Sequence, residues 1–166
     1  MSTPRLREPV GPGQESVWDY PRPPLLRPSD RLVEILLGGE LICRTTASLQ
    51  VLETSHPPTW YLPRSAFVPQ ALQPTGGGSF CEWKGAASYL DVRGGGRTAT
   101  RAAWYYPDPS PAYAQLRDHV AVYAAAMDCC LVDGAAVTAQ PGGFYGGWIT
   151  PELAGPFKGI PGSTGW

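Results

Sequence analysis

Glycine and proline interrupt this chain almost everywhere, and that limits what it can fold into more than any other feature. Twenty glycines and nineteen prolines make up nearly a quarter of the 166 residues, against a usual combined share of about 12%. The excess is not low-complexity sequence, because tryptophan and tyrosine are interleaved with it. Glycine and proline shape turns while aromatic side chains supply large buried area, so the composition fits a loop-rich ordered domain. Hydrophobic residues make up 43%, enough for one core in a chain of this length. The expected organisation is a flexible polar arm over residues 1–16, then a single mainly β (α+β) domain over 17–166 with one or two short helices.

Charge and cysteine content narrow the function. Thirteen basic and fourteen acidic residues leave a net charge of −1. Arg93, Arg97 and Arg101 are the nearest approach to a basic patch and read as a solvated strand face, so a nucleic-acid partner is not expected. No apolar run approaches the ~20 residues of a membrane helix, and the N-terminus has no apolar centre that would make it a secretory signal. Neither a membrane nor export is therefore expected, and the cytoplasm is the default location. Cys43, Cys81, Cys129 and Cys130 contain no C-x-x-C pair and only two histidines accompany them. They read as reduced, partly buried thiols; no zinc and no other cofactor is expected.

Several elements can be read along the chain. The extended, proline-rich VWDYPRPPLLRP lies across the domain, anchored by Trp18 and Tyr20. RLVEILLGGELICRT forms two apolar strands joined by Gly38-Gly39, a two-residue hairpin signal. SLQVLE is a strand, TSHPPTWYLP a bend leading into another, and the segment from Pro63 a helical turn or two. The 112–134 stretch admits a helix near 112–126 on propensity; the preferred alternative is a helical turn near Tyr113–Arg117, two strands, and a turn at Asp133-Gly134. The aromatic tail from Gln140 packs on the sheet.

The most informative segment is a second hairpin, CEWKGAASYLDVR and RTATRAAWYYP around Gly94-Gly95-Gly96. With all three glycines in the loop, Arg93 faces Arg97 and Tyr89 faces Arg101. Partners across a ladder share a face and faces alternate along each strand. One face then carries Trp83, Tyr89 and the three arginines. The drier face carries Lys84, Trp104 and Tyr106, with Lys84 opposite Tyr106.

No phosphate loop, no G-x-S-x-G elbow and no spacing that argues for a catalytic triad is present. His56, between Ser55 and Pro57, reads as a turn residue. Lys84 and Glu53 are the candidate catalytic residues. Glu53 ends an apolar run where an unpartnered carboxylate is costly. A buried lysine loses proton affinity, which a nearby carboxylate restores. Such a pair is either an inert internal ion pair or a site that moves protons or holds a polar substrate. Trp104 and Tyr106 likewise belong either to a sheet core or to an aromatic-walled pocket.

ESVWDYPRPP, VLETSHPPTWYLP, CEWKGAASYLDV, AAWYYPDP, HVAVY and PGGFYGGWITPELAGPFKGIPGSTGW together resemble the bacterial family called domain of unknown function 427, over about residues 15–166. The resemblance implies a β-tent (Mss4-like) fold, two antiparallel sheets meeting at an angle with a pocket between them. Relatives of that fold include methionine sulfoxide reductase B, glutathione-dependent formaldehyde-activating proteins and the drug-binding domain of cereblon. Many hold zinc through paired C-x-x-C motifs, which this chain lacks, so neither zinc nor their chemistry carries over. The positions that match the family pattern are Glu53, Tyr61, Cys81, Trp83, Lys84, Gly85, Tyr89, Trp104 and Tyr106. Some classifications attach a nucleotidyltransferase-like label, but no metal-binding carboxylate pair accompanies it here.

Three functions compete. The first is a small-molecule pocket, extending to a cofactor-independent enzyme in which Lys84 and Glu53 transfer protons or stabilise an anion, with Tyr61, Trp83, Tyr89, Trp104 and Tyr106 binding the substrate. The second is a non-catalytic ligand sensor with aromatic walls. The third is a scaffold, including a homodimer that buries the tail aromatics.

Overall fold

A computed structural model describes residues 7–166. Its strands, in chain order, are β1 Glu15–Ser16, β2 Leu25–Ser29, β3 Val33–Leu37, β4 Glu40–Thr45 and β5 Ser48–Leu52. Next come β6 Thr59–Pro63, β7 Leu72–Cys81, β8 Gly85–Gly94, β9 Arg97–Tyr105 and β10 His119–Val122. The last are β11 Cys129–Val132, β12 Ala135–Ala136, β13 Thr138–Ala139, β14 Trp148–Ile149 and β15 Leu153–Ala154. Among the described residues, helical structure is confined to short 3₁₀ turns, such as Arg64–Ala66 and Pro111–Leu116. Of the two readings of 112–134, the turn followed by two strands is the one observed.

Seven strands form an antiparallel sheet in the order β2-β5-β6-β10-β9-β8-β7, and four form another in the order β12-β11-β3-β4. Alternation along the seven-stranded sheet sends Trp60, Leu62, Leu90, Val92, Val120 and Val122 to one side. There they pack against Val33, Ile35, Ile42, Cys130 and Val132 of the four-stranded sheet. The intervening residues Tyr61, Ala87, Trp104 and Ala121 point to the opposite side and build a second, aromatic cluster with Tyr106, Tyr113 and Leu116. The space between these two sheets is therefore filled with core side chains. The cavity expected there lies instead on the aromatic side of the seven-stranded sheet, roofed by the tail.

The Gly38-Gly39 hairpin forms as expected, with both glycines at positive φ. The second hairpin corrects its expected register. Gly94 is the last residue of β8 and pairs with Arg97, leaving a two-residue Gly95-Gly96 turn with φ of 53° and 80°, as a type I′ turn requires. The ladder then shifts between Leu90 and Val92, so that Tyr89 pairs with Trp104 and Ser88 with Tyr105. Arg101 occupies this bulge at φ 49°, and its N–H donates to Asp91 Oδ1 at 2.9 Å. The three arginines do not form one face: Arg93 pairs with Thr98, Arg97 with Gly94, and Arg101 is in the bulge. Lys84 lies outside the ladder, in the turn between β7 and β8.

The tail is built into the domain. Trp148 is 1% exposed, stacks on Trp60 at 6.0 Å and donates its indole N–H to Val122 O at 3.1 Å. β14 pairs with β13, and β15 pairs in parallel with β1. Of the arm expected over 1–16, residues 1–6 lie outside the described residues. The rest is tied to the tail: Glu8 exchanges two hydrogen bonds with Gly155, and Gln14 donates to Pro151 O. Trp18, one of the two expected anchors, donates to Pro156 O at 2.9 Å.

Candidate functional site

On the aromatic side of the large sheet is a cavity of about 290 Å³. Glu53, Tyr61, Trp83, Lys84, Tyr89, Trp104 and Tyr106, the seven residues expected to form a site, all line it. The corrected register explains why Tyr89 does so: it stands opposite Trp104, where the three-glycine loop would have placed it among the arginines. Trp104 donates to the Tyr61 hydroxyl at 3.3 Å and packs its ring 4.6 Å from that of Tyr123. Gly146 lies flat on the Trp104 indole, where a Cβ would stand 2.0 Å from a ring carbon. The tail thus forms one wall of the cavity.

Lys84 and Glu53 share the cavity but do not form the expected ion pair. The Glu53 carboxylate is held by Arg22 at 3.0 Å, with His56 Nε2 at 3.7 Å. Arg22 comes from the proline-rich stretch, which no pattern in the sequence ties to Glu53. Lys84 is 9% exposed, and its Nζ donates to Cys81 Sγ at 3.2 Å. It also stands 5.8 Å from the centre of the Tyr106 ring, within cation–π range. Burial works against its ammonium, while Tyr61 and Cys81 in their ionised forms, the hydrogen bond to Cys81 and the Glu53 carboxylate favour it, and the Lys84 pKa lies above its ordinary value. Lys84 is therefore a cation at neutral pH. Burial raises the pKa of Tyr61 and Tyr106 as well, so both hydroxyls keep their protons.

Sequence reasoning set His56 aside, yet it too lines the cavity. Gly147 N–H donates to Gln140 Oε1 at 3.0 Å, which fixes the Gln140 amide with Nε2 towards His56 Nδ1 at 3.1 Å. Nδ1 must then accept, and the ring proton sits on Nε2, facing Glu53. Burial lowers the His56 pKa to about 4; Glu53 opposes this, while Lys158, Arg22 and Lys84 reinforce it. Unfolding frees His56 to take up a proton that the folded chain refuses. Stability linked to His56 is thus complete above about pH 6.5 and is lost as pH falls towards about 4. We expect urea unfolding to show wild type losing about 2–4 kcal/mol more than His56→Asn between pH 7 and 4. Parallel pH profiles would remove His56 from the electrostatics of the site.

Lys158 and Tyr145 were also missed, and both come from the tail. Lys158 Nζ donates to Trp166 O at 3.1 Å and stands 5.6 Å from the centre of the Tyr145 ring. The one available signal was the density of aromatic residues in a glycine-rich tail. Among the described residues no group of three His, Cys, Asp or Glu side chains is placed to hold a metal ion.

The family model described as Domain of unknown function (DUF427) matches residues 25–133. The chain belongs to the DUF427 family. No curated protein matches it. In this DUF427 protein the matched stretch is shorter than the resemblance suggested. It runs from β2 through β11 and includes every expected cavity residue, from Glu53 to Tyr106. Gln140, Tyr145, Gly146 and Lys158, which complete the cavity, lie beyond it.

Proposed function

We propose that the cavity binds a small planar anion, with its ring against Trp104 and Tyr89 and its charged end at Lys84. One observation carries this reading. Lys84 is a buried ammonium whose hydrogen-bond acceptor is a thiol sulfur, while the nearby carboxylate of Glu53 is engaged by Arg22. A buried charge is costly without a compensating partner, and an anionic ligand supplies one. The aromatic walls favour a flat molecule, and a volume of about 290 Å³ limits it to one or two rings.

Lys84 acts here as an anchor and a stabiliser of negative charge. Proton abstraction has weaker support: Lys84 is already protonated, and His56 Nδ1 already accepts from Gln140. This favours anion binding, or turnover through a stabilised anion, over the proton-transfer role first considered for Lys84 and Glu53. The titratable cluster also argues against a purely aromatic sensor cage. The packing of two large antiparallel sheets on one another supports a β-tent, Mss4-like arrangement, one whose cavity lies outside the pair of sheets. Four free cysteines support a cytoplasmic location.

Benzoate and benzamide test the reading, because they share shape and differ in charge. Tryptophan fluorescence should report benzoate binding at least about tenfold tighter than benzamide, the scale of one charge-assisted hydrogen bond. Equal affinities would contradict it.

A further inference from the structure

We propose that Cys81 is the nucleophile of this cavity, adding to the carbonyl carbon of the bound ligand while Lys84 protonates the resulting oxygen. This rests on the reading of the cavity as a ligand site and adds the chemical class of its ligand, a carbonyl-bearing anion. Cys81 ends β7, is half-buried, and lines the cavity. Its Sγ receives Lys84 Nζ at 3.2 Å. The side-chain acceptor of this buried ammonium is the thiol sulfur. A cation beside sulfur compensates the negative charge that appears there when the thiol proton leaves. The same ammonium is a proton donor within the cavity, as an addition to a carbonyl requires.

The other cysteines differ. Cys43 and Cys130 are buried in the core between the sheets, and burial pushes the Cys43 thiol up to about 12 and raises that of Cys130 also. Cys129 is half-buried on β11 of the four-stranded sheet, away from the cavity. It therefore serves as an internal control.

The step balances without a further reactant. The thiol proton passes to water, and the sulfur lone pair forms a C–S bond as the carbonyl π bond opens. The π electrons move to oxygen, which takes a proton from the Lys84 ammonium. Lys84 regains a proton from water. The product is a hemithioacetal, and nothing is oxidised or reduced overall.

The test alkylates the full chain with iodoacetate and with iodoacetamide at neutral pH and maps each cysteine by mass spectrometry. Cys81 should react before Cys129. Its rate ratio of iodoacetate to iodoacetamide should exceed that of Cys129 by on the order of tenfold, since a local cation concentrates the anionic reagent. The ratio should collapse in Lys84→Met, and 2-formylbenzoate should protect Cys81 better than benzoate does. The comparison with Cys129 in wild type stands even if the variant fails to fold. Cys81 reacting no faster than Cys129, or with the same reagent ratio, overturns the proposal. Benzoate binding to Cys81→Ser separates the two ideas. Binding there with an inert Cys81 in wild type removes the nucleophile and keeps the pocket; no benzoate binding to either protein removes both.

Discussion

A chain cut after Gln140 should fail to accumulate as folded protein, or should melt well over 10 °C lower than the full chain, on the scale of ~2–4 °C per kcal/mol for a domain of this size. The cut removes Trp148, which is 1% exposed and stacked on Trp60 within the main core. Deleting that side chain alone, as Trp148→Ala, should cost about 3–5 kcal/mol, because the cavity it leaves lies among residues that cannot all collapse into it. The truncation also removes β14 and β15, the partners of β13 and β1. It takes away Gly147, which orients Gln140, and Gly146, which covers Trp104. Differential scanning calorimetry of the truncated and full chains decides the point. Unchanged melting would mean that the tail is dispensable and that the cavity it roofs is not a feature of the folded domain.

Replacing Lys84 with methionine should separate stability from binding. Were Lys84 half of an inert ion pair with Glu53, its loss would strand a buried carboxylate and cost roughly 3–5 kcal/mol. Glu53 is instead held by Arg22 at 3.0 Å. Lys84→Met should therefore change unfolding stability by about 1 kcal/mol or less, or raise it, since functional residues are often not optimised for stability. Benzoate affinity should nevertheless fall by roughly 2–3 kcal/mol, close to a hundredfold, as a buried charge-assisted hydrogen bond is lost. Glu53→Gln should disturb Arg22 and His56 directly, and the ammonium only through the weaker attraction of a carboxylate that is not its ion-pair partner. The two substitutions should then add in unfolding experiments within about 0.5 kcal/mol. A large loss in Lys84→Met that the double variant restores would make Lys84 structural.

Local signals in the sequence carried far. Gly38-Gly39 marked a hairpin because two glycines at positive φ suit the twist of a two-residue turn. The preferred reading of a helical turn near Tyr113–Arg117 followed by strands agrees with the 3₁₀ turn Pro111–Leu116 and the strand His119–Val122. Trp104 and Tyr106 were left between a sheet core and a pocket wall, and they both pack in the aromatic cluster and line the cavity together with Tyr61. What failed was register. Three consecutive glycines do not say which two make the turn, and the bulge closed by Asp91 on Arg101 has no periodic signature. A shift of one residue exchanges the faces, which is why Trp104 was placed on the face away from Tyr89, its observed partner. The Lys84–Glu53 pairing failed for a different reason. Arg22 and Glu53 are 31 residues apart, and Gln140 and His56 are 84 apart. Contacts of that range are fixed by how the Pro-rich stretch and the tail wrap the sheet, which no short pattern encodes.

The central claim is that a planar anion sits between Lys84 and Trp104, and a crystal grown with 4-bromobenzoate tests it most directly through the anomalous signal of bromine. The account predicts one site in the cavity, with the carboxylate at about 2.7–3.2 Å from Lys84 Nζ and the ring against Trp104. Bromine bound elsewhere on the surface, with the cavity free of it at saturating ligand, would contradict the account.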